Sequence, residues 1–316
     1  MKKAVIVGIF GQDGQFLCNN LEKDGYVVTG IGRNKVYSSD GKWNKLIDIT
    51  NKNDVIYLIK NYKPDEVYYL AAHHHSSEDN IESAPKLINE SYKINVFSYI
   101  NFLESIKNYS LNTKIFYAAS SHIFGKTKEP IQDENTEFSP NSIYGITKLD
   151  GLLLSRYYRK IYSIFSSVGI MYNHESHLRS SKFASKKIVK SAVEIKNGVR
   201  DKLQLGDLHA HIDWGYAGDF VDAMKRIIIH NIPNDYIIAT GHSVKLIDFV
   251  DAVFKELNLN FEKFVVEDRS LLKREATTTY CGNPKKLFKA TGWKASTDVN
   301  LISKHMVNKE LDNIHL

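Results

Sequence analysis

The sequence predicts an α/β fold in which a doubly wound parallel sheet is accompanied by a smaller mixed α/β lobe. In the first half of the 316 residues, short apolar runs alternate with amphipathic segments of helical spacing. This alternation is typical of strand–helix–strand units, which align parallel strands and place helices on both faces of the sheet. The second half mixes helices with short strands. We therefore expect a first domain at 1–170 and a substrate lobe at 171–316, interleaved with the first.

Each element of this fold has its own pattern. Continuous apolar runs of the kind found in buried parallel strands predict strands at 3–7, 26–31, 66–72, 114–119 and 166–170. Apolar residues at helical spacing predict helices at 13–23, 53–61, 88–107 and 143–162. The same spacing predicts the helices of the second half at 187–197, 219–230 and 246–257.

Composition and charge exclude several classes of protein. The chain is 43% hydrophobic and 25% charged, as in ordinary globular proteins, and no apolar run approaches the roughly 20 residues that span a bilayer. The formal charge of +6 comes from scattered lysines without a nucleic-acid-binding motif. Because the first predicted strand begins at Lys3, we expect no signal peptide. We expect a cytoplasmic protein with neither a membrane nor a nucleic acid as partner.

Neither cysteines nor histidines form a pattern typical of a metal site. Cys18 and Cys281 lie far apart in sequence and belong to no ligand motif, so no disulfide framework is implied. The three consecutive histidines at 73–75 follow a strand, where successive side chains point to opposite faces. We therefore expect no metal site.

A glycine-rich turn links the first strand to the first helix. Gly8, Gly11 and Gly14 permit a tight turn and the close approach of a pyrophosphate, which the N–H groups and dipole of the helix attract. This placement predicts a dinucleotide site of the Rossmann type. After the second strand, Arg33 stands where an acidic residue would favour NAD, so we favour NADP(H) without excluding NAD. Asp48 is a candidate contact to the adenine edge or a solvated loop residue.

Four polar residues predict a centre that oxidises a hydroxyl group. Tyr144 and Lys148 are four residues apart on one predicted helix face. Ser120 and Ser121 end an apolar strand, at the carboxyl edge where doubly wound sheets bind ligands. A free tyrosine has a pKa of about 10, and a nearby ammonium favours its phenolate. The tyrosine then serves as the base, a serine holds the reacting oxygen, and a nicotinamide accepts the hydride.

Seven strings resemble the extended short-chain dehydrogenases/reductases, and specifically the GDP-mannose 4,6-dehydratases. They are GIFGQDG at 8–14, YLAA at 69–72, YGITK at 144–148, NHES at 173–176, LGD at 205–207, DWG at 213–215 and IATG at 238–241. The resemblance implies a GDP-linked hexose or heptose as substrate and a homodimer or homotetramer. It implies cofactor contacts from Gly8, Gly11, Gln12, Asp13, Gly14, Arg33, Asp48, Leu70, Ala72, Tyr144 and Lys148. It implies substrate contacts from His75, Asn173, Glu175, Arg179 and Lys187.

His122 departs from the family pattern. After the fifth strand the dehydratases carry Thr-x-Glu, and this chain has Ser120-Ser121-His122. In the family, a carboxylate removes the C5 proton while water leaves C6, whereas oxidation of C4 needs only the serine, tyrosine and lysine. A neutral imidazole lacks the negative charge of that base. We therefore expect an enzyme that oxidises C4 or reduces the 4-ketone.

Three alternatives stay open on the sequence. The first is a 4,6-dehydratase in which His122 is the base, since an imidazole can accept a proton near neutral pH. The second is a nucleotide-sugar epimerase, and the third is a non-catalytic regulator that binds the cofactor. The family also has charged residues where this chain has Leu178, Ser181 and Ile212, and an arginine where it has Lys273. These changes leave the identity of the sugar open.

Overall fold

A seven-stranded sheet forms the centre of the protein. The fold is taken from a computed structural model, in which the described residues are 1–74, 84–271 and 281–313. In chain order, the strands of this sheet are β1 (Lys3–Val7), β2 (Val27–Ile31), β3 (Val36–Ser38), β4 (Glu66–Tyr69), β5 (Lys114–Ser120), β6 (Ser166–Met171) and β10 (Asp235–Ile238). They are arranged in the order β10-β6-β5-β4-β1-β2-β3. All neighbours are parallel except β2 and β3.

Two smaller sheets come from the second half of the chain. β7 (Asn173–Glu175), β9 (His211–Tyr216) and β11 (Ser243–Lys245) form one of them, with β9 in the middle. β8 (Leu203–Leu205) and β12 (Val265–Glu267) form the other. Since β10 pairs with β6, the chain returns to the central sheet after it has formed β7, β8 and β9.

The helices cover both faces of the central sheet and the second lobe. They are α1 (Gln12–Lys23), α2 (Lys52–Tyr62), α3 (Ala84–Tyr92), α4 (Ser98–Tyr109), α5 (Ile143–Tyr162), α6 (Ala184–Lys196), α7 (Ala217–Ile229), α8 (Leu246–Glu256), α9 (Lys285–Thr291) and α10 (Val299–Asp312). In the part of the chain that the structure describes, no helix is long and apolar enough to cross a membrane.

The burial of β1 shows why the sheet is covered on both sides. Val5 and Val7 pack into one hydrophobic cluster, and Ala4 and Ile6 pack into another. Successive side chains of a strand point to opposite faces, so a strand that is apolar throughout needs a layer of helices on each face. The predicted doubly wound α/β fold is confirmed. A third hydrophobic cluster lies between α6, α8 and α10 in the second lobe.

The helix predicted at 88–107 contains a π-helical segment. Lys93–Phe97 joins α3 to α4 with the wider hydrogen-bonding pattern of a π-helix. Tyrosines of the central sheet stabilise this segment: the Tyr69 hydroxyl donates to the Ile94 carbonyl at 2.5 Å, and the Tyr117 hydroxyl donates to the Asn95 carbonyl at 3.5 Å. The segment therefore depends on contacts with β4 and β5.

The strand predicted at 66–72 ends earlier, at Tyr69. Its neighbour β1 ends at Val7, and Gly8 turns away with φ of +98°. The Gly8 N–H donates to the Ile31 carbonyl and the Leu70 N–H donates to the Val7 carbonyl, both at the carboxyl edge of the sheet. Residues 70–74 therefore leave the sheet beside the glycine turn.

Candidate functional site

At two of the three glycines of the turn, neighbouring backbone atoms leave no room for a side chain. A Cβ at Gly14 would lie 2.4 Å from the Gly8 carbonyl oxygen, and a Cβ at Gly8 would lie 3.0 Å from the Ala71 nitrogen. A Cβ at Gly11 would approach only the Gly8 oxygen, at 3.3 Å. Packing thus requires glycine at positions 8 and 14. The space beside Gly11 is open toward a ligand.

A cavity of about 380 Å³ lies between this turn and the end of β2. It is lined by Gly8, Phe10, Gly11, Gly32, Arg33, Asn34 and Lys35. The Lys35 ammonium lies 4.0 Å from the centre of the Phe10 ring, and the Arg33 side chain is exposed at the same edge. The lining is aromatic and cationic and includes no carboxylate. These residues fit the adenosine end of a dinucleotide, and their charge suits a phosphate.

Of three further predicted cofactor contacts, Leu70 and Ala72 lie near the glycine turn and Asp48 lies apart from it. Leu70 and Ala72 belong to the segment that passes the turn after β4. Asp48 lies between β3 and α2, and one of its carboxylate oxygens accepts hydrogen bonds from the backbone and hydroxyl of Thr50. It is not among the residues that line the cavity. The structure therefore gives Asp48 a role in its own loop.

Gln12 and Asp13 connect the glycine turn to the NHES string. Both Asp13 carboxylate oxygens lie 3.0 Å from His174 Nε2, and the Gln12 amide donates to the His174 carbonyl at 3.0 Å. The Ser176 hydroxyl donates to Gln12 at 2.8 Å. Although burial opposes both charges, the ion pair lowers the pKa of Asp13 and raises the pKa of His174. The GIFGQDG and NHES strings therefore bind each other and join the glycine turn to β7.

The predicted oxidising residues lie together at the carboxyl edge of the sheet. Ser120 is the last residue of β5, and its side chain lies near enough to Tyr144, at the start of α5, to affect the pKa of that residue. Lys148 lies one turn further along α5, is 2% exposed and donates to the Ala118 carbonyl at 2.7 Å. Its ammonium is 5.7 Å from the centre of the Tyr144 ring. Ser121 is also buried beside them, in a short 3₁₀ turn.

The pKa of Tyr144 differs from the sequence expectation. Burial raises it to about 12, an effect that the nearby Ser120 side chain and the charge of Arg179 only partly oppose. Burial also lowers the pKa of Lys148 to about 7, despite the opposing charge of Asp13. Because burial disfavours the charged form of Lys148, this residue favours the phenolate less than we expected. Desolvation is therefore the largest of the protein's effects on the pKa values of Tyr144 and Lys148.

Two histidines contact the ring of Tyr144. His122, in the turn after β5, lies edge-on at 5.7 Å between ring centres, and His74, after β4, lies edge-on at 4.7 Å. His74 also packs against Phe183 at 5.2 Å. His122 was predicted from the sequence to lie in this site, whereas His74 was not. The sequence signal for His74 was its position after β4, the strand beside β5. Parallel neighbours end at the same edge of a sheet, so residues that follow them lie close together.

Asn95 joins three parts of this site. Its side-chain oxygen accepts from the His73 N–H at 2.7 Å, and its amide group donates to the His73 carbonyl at 3.3 Å. The same amide group donates to the Thr147 hydroxyl at 2.9 Å. Asn95 lies in the π-helical segment, which therefore fixes the residues after β4 against the helix that carries Tyr144 and Lys148.

Three of the predicted substrate residues lie in β7 or just after it. Asn173 is exposed at the start of β7, whereas Glu175 is buried and accepts from the Ser185 hydroxyl. Arg179 forms an ion pair with Glu175 at 3.2 Å, and its guanidinium stacks on Phe183 at 3.6 Å. Glu175 thus holds Arg179 in place.

The remaining substrate positions are only partly described. Lys187 is half-buried in the first turns of α6. His75 and Lys273 lie outside the described residues. Within the described ranges, no three His, Cys, Asp or Glu side chains could together hold a metal ion.

Comparison with known proteins gives the family. The family model described as GDP-mannose 4,6 dehydratase matches residues 5–306. The chain belongs to the GDP-mannose 4,6-dehydratase family. It is 32% identical to GDP-mannose 4,6 dehydratase 2 of Arabidopsis thaliana over 98% of the chain and 87% of that protein. It is 28% identical to the GDP-mannose 4,6-dehydratase of Sinorhizobium fredii, over 98% of the chain and 97% of that protein.

Solved structures of low sequence identity share the fold of this family member. RMD from Pseudomonas aeruginosa, solved with NADPH, matches with a TM-score of 0.84 and 18% identity over 99% of the chain and 100% of that structure. The dTDP-glucose 4,6-dehydratase of Bacillus anthracis, solved with NAD, matches with a TM-score of 0.83 and 19% identity over 100% and 98%. The resemblance found in the sequence is confirmed, and the protein is a nucleotide-sugar dehydratase-like enzyme.

Proposed function

We propose that the protein is an NAD(P)-dependent oxidoreductase that acts in the cytoplasm at C4 of a GDP-linked hexose or heptose. It forms or reduces a 4-keto sugar nucleotide. One observation carries this proposal: Ser120, Tyr144 and Lys148 are assembled at one edge of the sheet, whereas His122 stands where the family has its carboxylate. The parts needed for hydride transfer are therefore present without the usual base for elimination.

The residues of the site divide the work of this reaction. The Ser120 hydroxyl holds the C4 oxygen, and Tyr144 accepts its proton during oxidation or donates one during reduction. When bound, the nicotinamide supplies the acceptor or donor of the hydride. The turn at Gly8 and Gly11 and the cavity beside Phe10 and Arg33 would hold the rest of the cofactor. Because the pKa of Tyr144 is raised to about 12, the protonated phenol suits the reduction of a ketone.

The substrate contacts of the proposed reaction come from the second lobe. Arg179 is fixed by Glu175 and Phe183, and its charge partly opposes the rise that burial causes in the pKa of Tyr144. We assign to Arg179 and Lys187 the phosphates of the GDP-sugar, since both are cationic and lie in or next to α6. Asn173 would contact the sugar from the exposed start of β7.

The mass of the product tests the proposed reaction. We expect incubation with NADP⁺ and either GDP-mannose or a GDP-heptose to remove two hydrogens from the sugar nucleotide, with one reduced cofactor formed per product. Mass spectrometry and the absorbance of the reduced nicotinamide measure these quantities. Loss of water without net reduction of the cofactor would contradict the proposal. It would instead support a 4,6-dehydratase that uses His122, whose contact with Tyr144 makes it the second candidate function.

The preference for NADP is a separate part of the proposal. Arg33 and Lys35 are the cations at the mouth of the cavity beside Phe10, so a 2′-phosphate of the adenosine ribose would meet positive charge there. We expect faster reduction of NADP⁺ than of NAD⁺ at equal concentration, and we expect Arg33→Gln to lose this preference. Equal rates for the two cofactors in the unaltered enzyme would contradict this assignment.

We also propose a homodimer or homotetramer. Leu153, Tyr157 and Ile161 form an apolar stripe on α5 because they are spaced by four residues, and each is about half exposed. Phe97, 58% exposed, lies on the helical segment packed against α5. A second copy of the chain would bury these side chains. Light scattering should give a dimer or larger assembly, and Tyr157→Glu should reduce it to monomers. Val199→Glu, at an exposed site elsewhere, is the matched control, and a monomer before any substitution would disprove the proposal.

A further inference from the structure

A buried ion pair joins α10 to the first turn of α6. Lys186 and Glu310 lie 2.5 Å apart, and their side chains are only 12% and 13% exposed. The apolar face of α10, which includes Met306 and Val307, packs into the hydrophobic cluster of the second lobe. Two charges buried this deeply are costly unless each is paired and hydrogen-bonded. The other hydrogen bond of the Lys186 ammonium is therefore informative.

The Lys186 ammonium holds the turn that leads to Arg179. It donates to the His177 carbonyl at 3.1 Å. This carbonyl lies inside a turn that is closed by a hydrogen bond from the Arg179 N–H to the Ser176 carbonyl, also at 3.1 Å. The ring of His177 packs edge-on against Phe16 of α1 at 5.9 Å. Burial and the charge of Lys186 lower the pKa of this imidazole, so near neutral pH the ring is uncharged and does not repel the ammonium.

Other contacts hold the turn at its start and at its end. The Ser176 hydroxyl donates to the Gln12 side chain at 2.8 Å, and the Arg179 guanidinium pairs with Glu175 at 3.2 Å. The contact with Lys186 lies between these two and links the turn to α10. If this contact is lost, the middle of the turn can rotate. The start of the Arg179 side chain then moves relative to Glu175.

We propose that Lys186 and Glu310 are positioning residues for binding of the diphosphate of the substrate. Glu310 orients the Lys186 ammonium, and this ammonium fixes the His177 carbonyl. The turn then directs Arg179 toward the phosphates. The helix α10 thereby contributes to the affinity for the substrate through the backbone of the turn. This inference rests on the proposed function, which assigns Arg179 to the phosphates of a GDP-sugar.

Binding of GDP tests the proposal, because GDP carries the phosphates without the sugar. Glu310→Gln keeps the size of the side chain and removes its charge, whereas Lys186→Met removes the hydrogen bond to the turn. We expect each variant to bind GDP about 10-fold more weakly by calorimetry, the loss typical of one hydrogen bond to a charged group. NADP⁺ should bind both variants within about two-fold of the unaltered enzyme, since neither residue lines the cavity beside Phe10 and Arg33.

A double variant separates positioning from stability. Removing one partner of a buried ion pair leaves the other charge unpaired and destabilises the fold, whereas replacing both partners with apolar residues is often neutral. Lys186→Met combined with Glu310→Met should therefore unfold near the temperature of the unaltered enzyme. The His177 carbonyl still lacks its donor, so GDP binding should stay about 10-fold weaker. The KM for GDP-mannose should rise by a similar factor, with kcat within about two-fold.

Two single substitutions complete the comparison. Lys186→Arg keeps a cation that can donate to both Glu310 and the His177 carbonyl, so it should restore GDP binding to within about two-fold. Lys190→Met is the matched control, because Lys190 lies one turn further along α6 and its exposed side chain pairs with Glu194 at 3.9 Å. It should bind GDP as the unaltered enzyme does. An equal loss in Lys190→Met would assign the effect to the charge of α6 and overturn the inference.

Hydride transfer separates this inference from the proposed function. If GDP-mannose or a GDP-heptose reduces NADP⁺ while the double variant binds GDP as tightly as the unaltered enzyme, the positioning role is disproved and the C4 reaction stands. If GDP binding is weakened as expected but neither sugar nucleotide reduces NADP⁺, the proposed C4 function fails and the positioning role stands. Equal weakening of GDP and NADP⁺ in the double variant would show a general structural defect and would also overturn the inference.

Discussion

Replacing Tyr144 with Phe is expected to slow hydride transfer at C4 by about 10²–10⁴-fold, the range for loss of a general acid or base. The substitution removes only the phenolic hydroxyl. That hydroxyl lies near Ser120 and is the group that we propose exchanges a proton with the C4 oxygen. The ring contacts with His74 and His122 need no hydroxyl and persist in the variant. The initial rate of reduced nicotinamide formation or consumption measures the effect.

Two measurements make the Tyr144→Phe result specific. Titration with NADP⁺ should give a similar dissociation constant for both proteins, because Tyr144 does not line the cavity beside Phe10 and Arg33. Tyr157→Phe is the matched control, since Tyr157 lies on the same helix with its side chain about half exposed. A Tyr144→Phe enzyme within about two-fold of the unaltered rate would contradict the role of Tyr144 as the acid or base. It would favour the non-catalytic regulator.

The fold was predictable because its determinants are local or periodic. The apolar strands and amphipathic helices are visible in the sequence, and parallel strands impose their order through helical crossovers. The placement of Ser120, Tyr144 and Lys148 followed from the same logic. Ser120 ends β5 at the carboxyl edge of the sheet. Tyr144 and Lys148 lie on α5, the helix that begins at this edge.

The features that were not predicted depend on contacts between distant segments. The π-helical segment at 93–97 depends on hydroxyls donated by Tyr69 and Tyr117, which belong to other elements. The contact of His74 with Tyr144 joins residues 70 positions apart. The raised pKa of Tyr144 follows from burial, which the sequence around the residue does not specify.

The contact of Asp13 with a distant residue is another feature that the sequence did not predict. The resemblance assigned Asp13 to the cofactor, but the structure pairs its carboxylate with His174, 161 residues away. Each of the two strings is recognisable alone, yet only the folded chain shows that they join the glycine turn to β7.

Replacing His122 with Glu is expected to give the enzyme a dehydratase activity. The residue lies beside Tyr144 in the turn after β5, half-buried, so a carboxylate there can stay charged and close to the sugar. A carboxylate base favours removal of the C5 proton from the 4-keto intermediate more strongly than a neutral amide does. The proton from C5 and the hydroxide lost from C6 together form water, and no external oxidant is needed for that step.

The matched control for this substitution is His122→Gln, which has the size of the glutamate variant without its charge. We expect product lacking one water to form about 10²-fold faster with glutamate than with glutamine, as measured by mass spectrometry of GDP-mannose reactions. Initial oxidation of C4 should be seen in both variants, because it depends on Ser120, Tyr144 and Lys148. If glutamate at this position yields no dehydrated product while C4 oxidation continues, then the residue after β5 does not decide between oxidation and elimination. If the unaltered enzyme already loses water at the rate of the glutamate variant, His122 is itself an adequate base.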